Sequence, residues 1–283
     1  MNRKIRWNIP KDMQIIDGSV LKIVAVITML IDHAAAGIFL PMMNFGHIPF
    51  GYTYESALAI YSTMRAIGRT AFPIYCFLLV EGLFFTRSKK KYAIRMFLFA
   101  LISEIPFDFA LIVKSFEANT FSFVEIWDAD KERILHDQNV FWTLLIGLLV
   151  IWAVDTIMKK TSRKPSTDAG RAVFMAGGYI ISFAIILAGC YAANLLETDY
   201  SHKGVMLIVI LYLLRTFRPA ALAVAYGYIA YVGYSEEWSF PGFILALLYN
   251  GRRGFITGNA KYFFYAFYPL HLIIIYIIRA IIL

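Results

Sequence analysis

Apolar residues recur in nine runs along the whole chain, and short polar segments separate them. The runs cover Val20–Met43, Ala57–Phe85, Tyr92–Val113, Val140–Met158, Ala172–Ala193, Val205–Leu214, Ala220–Val232, Phe240–Tyr249 and Tyr262–Leu283. Most are long enough to cross a bilayer core of about 30 Å as helices. The runs ending at Leu214, Val232 and Tyr249 are short, and are compatible with tilted, re-entrant or internal helices. The pattern predicts an all-α polytopic membrane protein, a bundle of about nine transmembrane helices.

Composition supports a membrane protein over a soluble one. Apolar residues make up 60% of the chain and charged residues only 16%, whereas soluble proteins average about 25% charged residues. We find no repeat of fixed period and no Gly/Ser-rich linker, so we expect one domain, residues 1–283. The first run is too long for a signal peptide and lacks a small-residue cleavage site, so we expect a retained helix. Cys76 and Cys190 fall within predicted spans, which argues against a disulfide framework or a structural zinc site.

Charge placement predicts the orientation in the membrane. Lys and Arg accumulate at the amino terminus and in the loops after the second, fourth, sixth and eighth runs, whereas the intervening loops are rich in acids. Because basic residues concentrate in cytoplasmic loops, the amino terminus is predicted to lie in the cytoplasm and the carboxyl terminus outside the cell membrane. The formal charge of +8 is then a topology signal, and nucleic acid is not an expected partner.

Two loops stand apart from the others. The predicted outer segment Lys114–Asp137 is acidic and aromatic, which favours a structured cover over a flexible tether. The predicted inner segment Lys159–Arg171 contains Pro165 and several hydroxyl residues, and we expect it to be mobile.

Ionisable residues lie inside the first run. Lys22 and His33 are eleven positions apart, so on a helix they share one face, roughly 16 Å apart along the axis. Asp32 directly precedes the histidine. Because ionisable groups are costly in hydrocarbon and persist mainly where they have a partner or a function, this helix face is the first candidate for a reaction centre.

The second and third runs contain further charged groups. Arg65 and Arg69 lie one turn apart on one face of the second run. In the third run, Glu104 and Asp108 flank Pro106, which lacks an N–H and leaves the Ile102 carbonyl without its helical donor. A disrupted helix at membrane depth needs protein groups or cavity water to satisfy that carbonyl, which predicts a polar interior here.

Other polar residues are predicted to reach the same depth. Asn139 opens the fourth run, and His271 follows Tyr268-Pro269 in the last. We expect a buried pocket drawn from five helices and lined by His33, Arg69, Glu104, Asp108, Asn139 and His271. For each residue alone, a purely structural role is an open alternative. Glu81 and Asp155, near basic inner loops, are predicted to form structural ion pairs, and the outer-loop histidines His47, His136 and His202 are predicted to be solvated.

The local motifs favour acid–base chemistry. No HExxH-like spacing supports a metal site, so we expect no metal. A G-x-S-x-G nucleophile elbow is absent from the sequence, as are a P-loop and a dinucleotide-binding fingerprint.

Five blocks of the sequence, spread over nearly the whole chain, resemble those of the TraX family. They are Leu21-Lys22-Ile23 through Ile31-Asp32-His33, Ile67-Gly68-Arg69-Thr70-Ala71-Phe72-Pro73-Ile74, Ser103-Glu104-Ile105-Pro106-Phe107-Asp108, Gln138-Asn139-Val140-Phe141 and Tyr268-Pro269-Leu270-His271. TraX proteins are membrane acetyltransferases, named for acetylating the amino terminus of conjugative pilin. They are similar to a wider superfamily of transmembrane acyltransferases, which includes the acyltransferase three proteins and heparan-glucosaminide acetyltransferases. The superfamily marker is a basic residue, ten intervening residues and a histidine, here Lys22 to His33.

The resemblance implies an acyl-CoA-dependent acetyltransferase. Acetyl-CoA would arrive from the cytoplasm, and the acceptor on the other side would be a peptide amine, a sugar or a lipid-linked glycan. His33 is then expected to act as general base, with Asp32 or a carboxylate of the third span orienting its ring. Arg69 would stabilise the oxyanion, or else form an ion pair with Glu104 or Asp108. His271 would bind the acceptor, act as a second base or carry an acetyl group.

The same resemblance suggests binding residues. At the inner mouth, Lys22 is the best candidate for a phosphate or pantetheine contact of acyl-CoA. The basic loops add donors for phosphate at Lys90, Lys91, Arg252 and Arg253. Asn139 and Arg65 are expected to contact the acceptor. A transporter or channel is the competing class, because buried Arg, Glu and His also build proton relays, and a non-catalytic scaffold is a third possibility.

Overall fold

The computed structural model describes residues 7–48, 51–113, 123–162, 168–256 and 261–283, and these residues fold into a helical bundle. The α-helices of this described part are α1 Gly18–Ala34, α2 Leu40–Asn44, α3 Tyr54–Gly68, α4 Ala71–Phe85, α5 Lys89–Phe107, α6 Phe123–His136, α7 Val140–Thr161, α8 Asp168–Leu195, α9 Ser201–Leu213, α10 Arg218–Val232, α11 Phe240–Leu247 and α12 Lys261–Ile282. Short 3₁₀ turns cover Lys11–Met13 and Glu236–Ser239. The fold is therefore all-α, as the apolar pattern predicts.

Among the described residues, five stretches are long and apolar enough to cross a membrane, which supports a membrane protein. These stretches are Gly18–Asn44, Tyr54–Phe85, Val140–Thr161, Asp168–Leu195 and Phe263–Ile282. Each of the nine apolar runs contains a helix. The number of nine spans and the cytoplasmic amino terminus stay predictions.

The helices α9, α10 and α11 are short. Their 13, 15 and 8 residues give lengths of about 20, 23 and 12 Å at 1.5 Å per residue. A bilayer core of about 30 Å is longer than any of them. These lengths are compatible with the re-entrant or internal helices that the short runs suggested.

The second apolar run is divided into two helices, α3 and α4, whereas the sequence pattern suggested one continuous helix. It breaks at Arg69 and Thr70, between α3 and α4. A Cβ atom at Gly242 would lie 2.5 Å from the Thr70 carbonyl oxygen, so a glycine on α11 permits close approach to this break. Arg69 and Thr70 both keep right-handed helical dihedral angles, so the interruption is a local irregularity of the backbone.

Two π-helical segments interrupt the bundle beside prolines. Ala35–Phe39 follows α1 and precedes Pro41, and Asp108–Ile112 follows α5 and Pro106. In each, an amide bonds five residues back, from Leu40 to Ala35 and from Val113 to Asp108. The predicted disruption near Pro106 is thus a widening of the helix just after the proline. Such π segments are frequent at functional sites.

The apolar core has two parts. The larger is centred on α4, α7 and α9 and contains Leu148, Ile151, Leu207 and Ile208, which are fully buried. The smaller joins α1, α4, α12 and the end of α5 through Met29, Ala71, Phe107, Ala110, Tyr268, Leu272 and Ile275. Tyr268 of this smaller core lies edge-on to the ring of His33, so it packs directly against the candidate histidine.

Two predicted ion pairs tie the helices together near one end. Glu81 accepts from Arg215 Nε at 2.9 Å, and Asp155 accepts from Lys89 at 2.8 Å and Lys159 at 2.6 Å. Their predicted structural roles are confirmed. His47, His136 and His202 are exposed, also as expected.

The two distinctive loops differ in what the structure describes. Helix α6 occupies Phe123–His136, which confirms that this part of the predicted cover is structured. Residues 114–122 lie outside the described residues. So do residues 163–167 of the segment Lys159–Arg171, whose mobility stays a prediction.

Gly68 provides a test of the packing between α1 and α3. A Cβ atom there would overlap the Asp32 carboxyl group, so we expect Gly68→Ala to lower the free energy of unfolding by about 1–3 kcal/mol. Gly227→Ala on α10 is the matched control, since its Cβ would meet nothing within 4 Å. This variant should be neutral or stabilising by up to about 1 kcal/mol. Thermal unfolding in detergent compares the two, and equal loss in both would contradict the packing.

Candidate functional site

His33 of α1 and His271 of α12 face each other across the smaller core. The distance between His33 Nδ1 and His271 Nε2 is 2.7 Å. The two rings are nearly parallel, with 8° between their planes and 5.0 Å between their centroids. His271 is only 3% exposed, whereas His33 is half-buried. The structure therefore joins two residues that lie 238 positions apart.

The hydrogen bonds of this pair determine which nitrogen atoms carry protons. His271 Nδ1 lies 2.8 Å from the Phe267 carbonyl oxygen. A carbonyl only accepts, so His271 Nδ1 is the donor and its Nε2, in the neutral ring, is an acceptor. His33 Nδ1 must then donate to His271 Nε2. This leaves a lone pair on His33 Nε2, the tautomer that a general base requires.

Aromatic side chains fix the orientation of both rings. Phe267 stacks on His271, with 4.8 Å between centroids and 12° between planes. Tyr268 meets His33 edge-on at 5.9 Å and His271 at 5.6 Å. Because Phe267 and Tyr268 precede His271 on the same helix, the position of the pair depends on the local sequence of α12.

Asp32 does not orient the His33 ring, contrary to one sequence-based expectation. Its Oδ2 accepts from Arg65 Nη1 at 2.6 Å. Neighbouring residues on a helix point about 100° apart, so Asp32 faces Gly68 and α3 while His33 faces α12. The group that orients His33 is His271, and Arg65, predicted to contact the acceptor, holds Asp32.

Arg69 pairs with a residue that the sequence analysis did not single out. Its Nη1 donates to Glu236 Oε1 at 3.1 Å and to the Tyr200 hydroxyl at 3.3 Å. The alternative of an ion pair with Glu104 or Asp108 is wrong, because the acidic partner of Arg69 is Glu236. A cation deep in a span needs an acidic partner. The acidic residues beside the short apolar runs could have indicated that partner.

Three polar atoms in this region are buried without a hydrogen-bond partner among the described residues. They are Asp32 Oδ1, Arg69 Nε and Glu236 Oε2. Buried polar groups in proteins are nearly always paired. Both Arg65 and Arg69 lie close enough to His33 to act on it electrostatically. The unpaired atoms therefore indicate a polar site beside the histidine pair, with both donor and acceptor groups.

Glu104 and Asn139 form a joint between α5 and α7. Glu104 Oε1 accepts from the Asn139 amide at 3.1 Å, and Oε2 accepts from Asn139 Nδ2 at 2.6 Å and from Trp142 Nε1 at 2.7 Å. Asn139 Nδ2 also donates to the Ala100 carbonyl at 2.9 Å, and Oδ1 caps α7 through Phe141. These bonds give both residues a structural role, and their predicted roles in catalysis and acceptor binding stay predictions.

Asp108 lies at the start of the second π segment. It is 3% exposed, and its Oδ1 has no hydrogen-bond partner among the described residues. Arg279 of α12 donates to the carbonyls of Phe109 at 2.5 Å and Ala110 at 2.8 Å, and so stabilises the widened backbone. The structure thus holds Asp108 in place, and its catalytic role stays a prediction.

At the start of α1, Lys22 lies with the loop before α12. The Gly18 amide donates to the Arg252 carbonyl at 2.9 Å, and Ser19 Oγ donates to the Arg253 carbonyl at 3.2 Å. Gly254 has φ +85°, and a Cβ there would overlap Asp17, so glycine allows this close approach. The loop therefore brings two of the predicted phosphate-binding residues, Arg252 and Arg253, to the amino-terminal end of α1.

The side chains at this end are basic and accessible. Lys22 lies 5.8 Å from the centroid of the Phe264 ring, and Arg253 Nη2 donates to the Phe85 carbonyl at 3.2 Å. Arg252 is exposed. The other predicted phosphate-binding residues, Lys90 and Lys91, are exposed in the first turn of α5. The structure thus groups Lys22 with Arg252 and Arg253, near the end of α4.

The described residues contain no group of three or more His, Cys, Asp or Glu side chains that could hold a metal ion. The site is built instead from a histidine pair and two arginine–carboxylate pairs.

These features describe an all-α protein with several apolar helices of membrane-spanning length and a buried cluster of histidine, arginine and carboxylate side chains. The chain belongs to the TraX family, since the family model described as TraX protein matches residues 17–279. It is similar to the probable fimbrial assembly protein FimC, serogroup H1, of Dichelobacter nodosus, at 28% identity over 265 residues, which cover 89% of this chain and 91% of that protein. No solved structure matches the chain significantly.

The joint between α5 and α7 makes a prediction about stability. Glu104→Ala leaves the donors of Asn139 and Trp142 without their acceptor, so we expect it to lower the free energy of unfolding by about 2–4 kcal/mol. Glu132→Ala, an exposed site on α6, should change it by less than about 0.5 kcal/mol. Thermal unfolding in detergent is the measurement. Equal unfolding temperatures for the two variants would contradict the anchoring role.

Proposed function

We propose that this protein is an integral membrane acyltransferase that moves an acetyl group from cytoplasmic acetyl-CoA to an amine or hydroxyl acceptor on the extracytoplasmic side. The observation that carries the proposal is the hydrogen-bond chain from His33 to His271 to the Phe267 carbonyl. It leaves His33 Nε2 as a hydrogen-bond acceptor that can serve as the base. A histidine with this tautomer is suited to take a proton from an acceptor during acyl transfer.

In the proposed reaction, the acceptor nitrogen or oxygen attacks the thioester carbonyl carbon while His33 Nε2 takes the acceptor's proton. The carbon–sulfur bond then breaks, and its electron pair leaves with sulfur. His33 returns the proton to the thiolate, so the products are the acetylated acceptor and CoA with a free thiol. The hydrogen bond from His33 Nδ1 to His271 Nε2, 2.7 Å long, keeps the ring oriented while it holds the proton.

The negative charge that develops on the thioester oxygen needs a donor. Arg69 Nε is buried without a partner among the described residues, and its guanidinium group acts on His33 electrostatically. Such a donor contributes roughly 2.7–4 kcal/mol where water is excluded. Glu236 and Tyr200 engage only Nη1, which is compatible with this role for Nε.

The acyl donor would approach from the amino-terminal end of α1. Lys22, Arg252 and Arg253 are grouped there, and charge-assisted hydrogen bonds from such residues suit the phosphates of CoA. Lys22 and His33 share one face of α1, so the phosphate-binding end and the base are aligned along one helix, roughly 16 Å apart.

Family membership supports the proposal without fixing the acceptor. The Lys22 to His33 spacing resembles the marker of the wider transmembrane acyltransferase superfamily. The relative in Dichelobacter nodosus is named for fimbrial assembly, and the family is named for acetylation of a pilin. A protein subunit of a surface fibre is therefore the first acceptor to test, ahead of surface glycans.

The histidine pair gives the direct test. We expect His33→Ala to lower acetyl transfer from labelled acetyl-CoA by about 10²–10⁴-fold, because the base is removed. His271→Ala should lower it by about 10²-fold or more, because His33 loses the group that fixes its tautomer. The measurement is transfer of label into extracytoplasmic material by membranes that contain equal amounts of folded protein.

His202→Ala is the matched control, since His202 is an exposed histidine at the start of α9, and transfer should be unchanged. Full transfer by His33→Ala would remove His33 from the role of base. Uptake of a solute that is independent of CoA would favour a transporter instead.

Lys22 tests the donor side separately. We expect Lys22→Ala to raise the KM for acetyl-CoA about tenfold with little change in kcat, because a phosphate contact made equally in ground and transition states is lost. Lys160→Ala, an exposed lysine on the same predicted inner side, should leave both constants unchanged. A fall in kcat with unchanged KM would place Lys22 in the chemistry rather than in donor binding.

A further inference from the structure

Unfavourable backbone conformations in the described residues are concentrated in two loops beside Arg69. The non-glycine residues with positive φ are Glu197, Tyr200, Ser201 and Ser235, with φ of 48°, 62°, 44° and 57°. Each such residue costs roughly 1–3 kcal/mol unless the surrounding structure compensates for it. Glu197 and Tyr200 lie between α8 and α9, Ser201 is the first residue of α9, and Ser235 lies between α10 and α11. Strain of this kind is typical of functional sites.

The strained loops position two side chains on one guanidinium group. Tyr200 is itself strained, and Ser235 directly precedes Glu236. The Tyr200 hydroxyl and Glu236 Oε1 both accept from Arg69 Nη1. Tyr200 also stacks on Phe72, with 3.6 Å between ring centroids. The backbone strain thus secures a defined position for Arg69 at the break between α3 and α4.

Glu236 is buried at the protein's edge. Its side chain is 2% exposed, whereas Tyr234 and Trp238 on either side are 92% and 57% exposed. The Ser239 hydroxyl donates to the Glu236 carbonyl at 2.5 Å and holds the 3₁₀ turn. Glu236 is thus a buried carboxylate in a short turn whose residues Tyr234, Glu237 and Trp238 are exposed.

Resting on the proposed acyl transfer, we propose that Glu236 is a positioning residue for that reaction. In its ionised form it holds Arg69 beside His33, so that Arg69 Nε is directed to the developing oxyanion. Protonation of Glu236 from the face of the membrane on which its loop lies would release Arg69 and slow the transfer. Glu236 itself touches neither the acyl group nor the base.

The electrostatic surroundings give the direction of the pH dependence. Burial raises the pKa of Glu236 to about 7, and the positive charge of Arg69 opposes that shift. The other titratable groups that act on it are Tyr200 and Asp199 from the loop before α9, and Cys76 from α4. Glu236 is therefore ionised above about pH 7 and neutral below it, so the hold on Arg69 weakens as the pH falls through this value.

The experiment uses sealed vesicles that contain the full-length protein, with the pH set separately on each face. Wild-type transfer of label from acetyl-CoA should fall about tenfold as the pH on the Glu236 face drops through about 7. Glu236→Gln should be about tenfold slower than wild type above that pH and should show no such fall. Glu236→Asp should recover part of the rate and the pH dependence. Glu237→Gln, a neighbouring exposed carboxylate, should behave as wild type.

A second measurement does not depend on acetyl transfer. Phenylglyoxal modifies accessible arginine side chains, and mass spectrometry follows the reaction at Arg69. Above the Glu236 midpoint, Glu236→Gln should be modified several-fold faster than Glu237→Gln, and well below it the two rates should converge. A wild-type rate and pH profile in Glu236→Gln, or equal modification of Arg69 in both variants at all pH values, would overturn the positioning role. Absence of any acetyl transfer with the expected modification pattern would instead reject only the enzymatic proposal.

Discussion

An unpaired charge at membrane depth costs several kcal/mol, and this constraint organises the bundle. Four acids form these ion pairs: Glu81 with Arg215, Asp155 with Lys89 and Lys159, Asp32 with Arg65, and Glu236 with Arg69. Asp155 and Lys159 lie on the same helix, but each of the other pairs fixes two helices or a helix and a loop relative to each other. Even Arg279, which caps backbone carbonyls, follows the same rule by satisfying acceptors that the π segment exposes.

Irregular backbone accompanies the polar centre. One π segment follows His33 directly, another begins at Asp108, and the helix break lies at Arg69. A regular helix would direct these side chains by a fixed rotation of 100° per residue. Widening or breaking the helix changes that direction locally, and here it lets side chains from several elements meet near His33. The cost is offset by tight packing at glycines and by capping from Arg279.

Sequence periodicity predicted the helices and the residues that share a face of one helix. It did not predict which residues of different helices contact each other. The helices themselves, the shared face of Lys22 and His33, and the structural role of Glu81 and Asp155 follow from spacing and charge. The partner of Arg69 does not, because Glu236 is 167 residues away and reaches it only through a break and a short loop. Glu104 and Asp108 look equivalent around Pro106, yet one turns to Asn139 and the other into a π segment.

Hydrogen-bonding capacity separates structural polar residues from those available for chemistry. Glu104 and Asn139 satisfy one another and the start of α7, so a substrate would have to break existing bonds to use them. His33 is different, because the chain through His271 ends on a carbonyl that can only accept, and this polarity forces the lone pair onto Nε2. Arg69 is intermediate: Nη1 is engaged and Nε is not. The proposed acyl transfer rests on these two groups, the acceptor nitrogen of His33 and the unpaired Nε of Arg69.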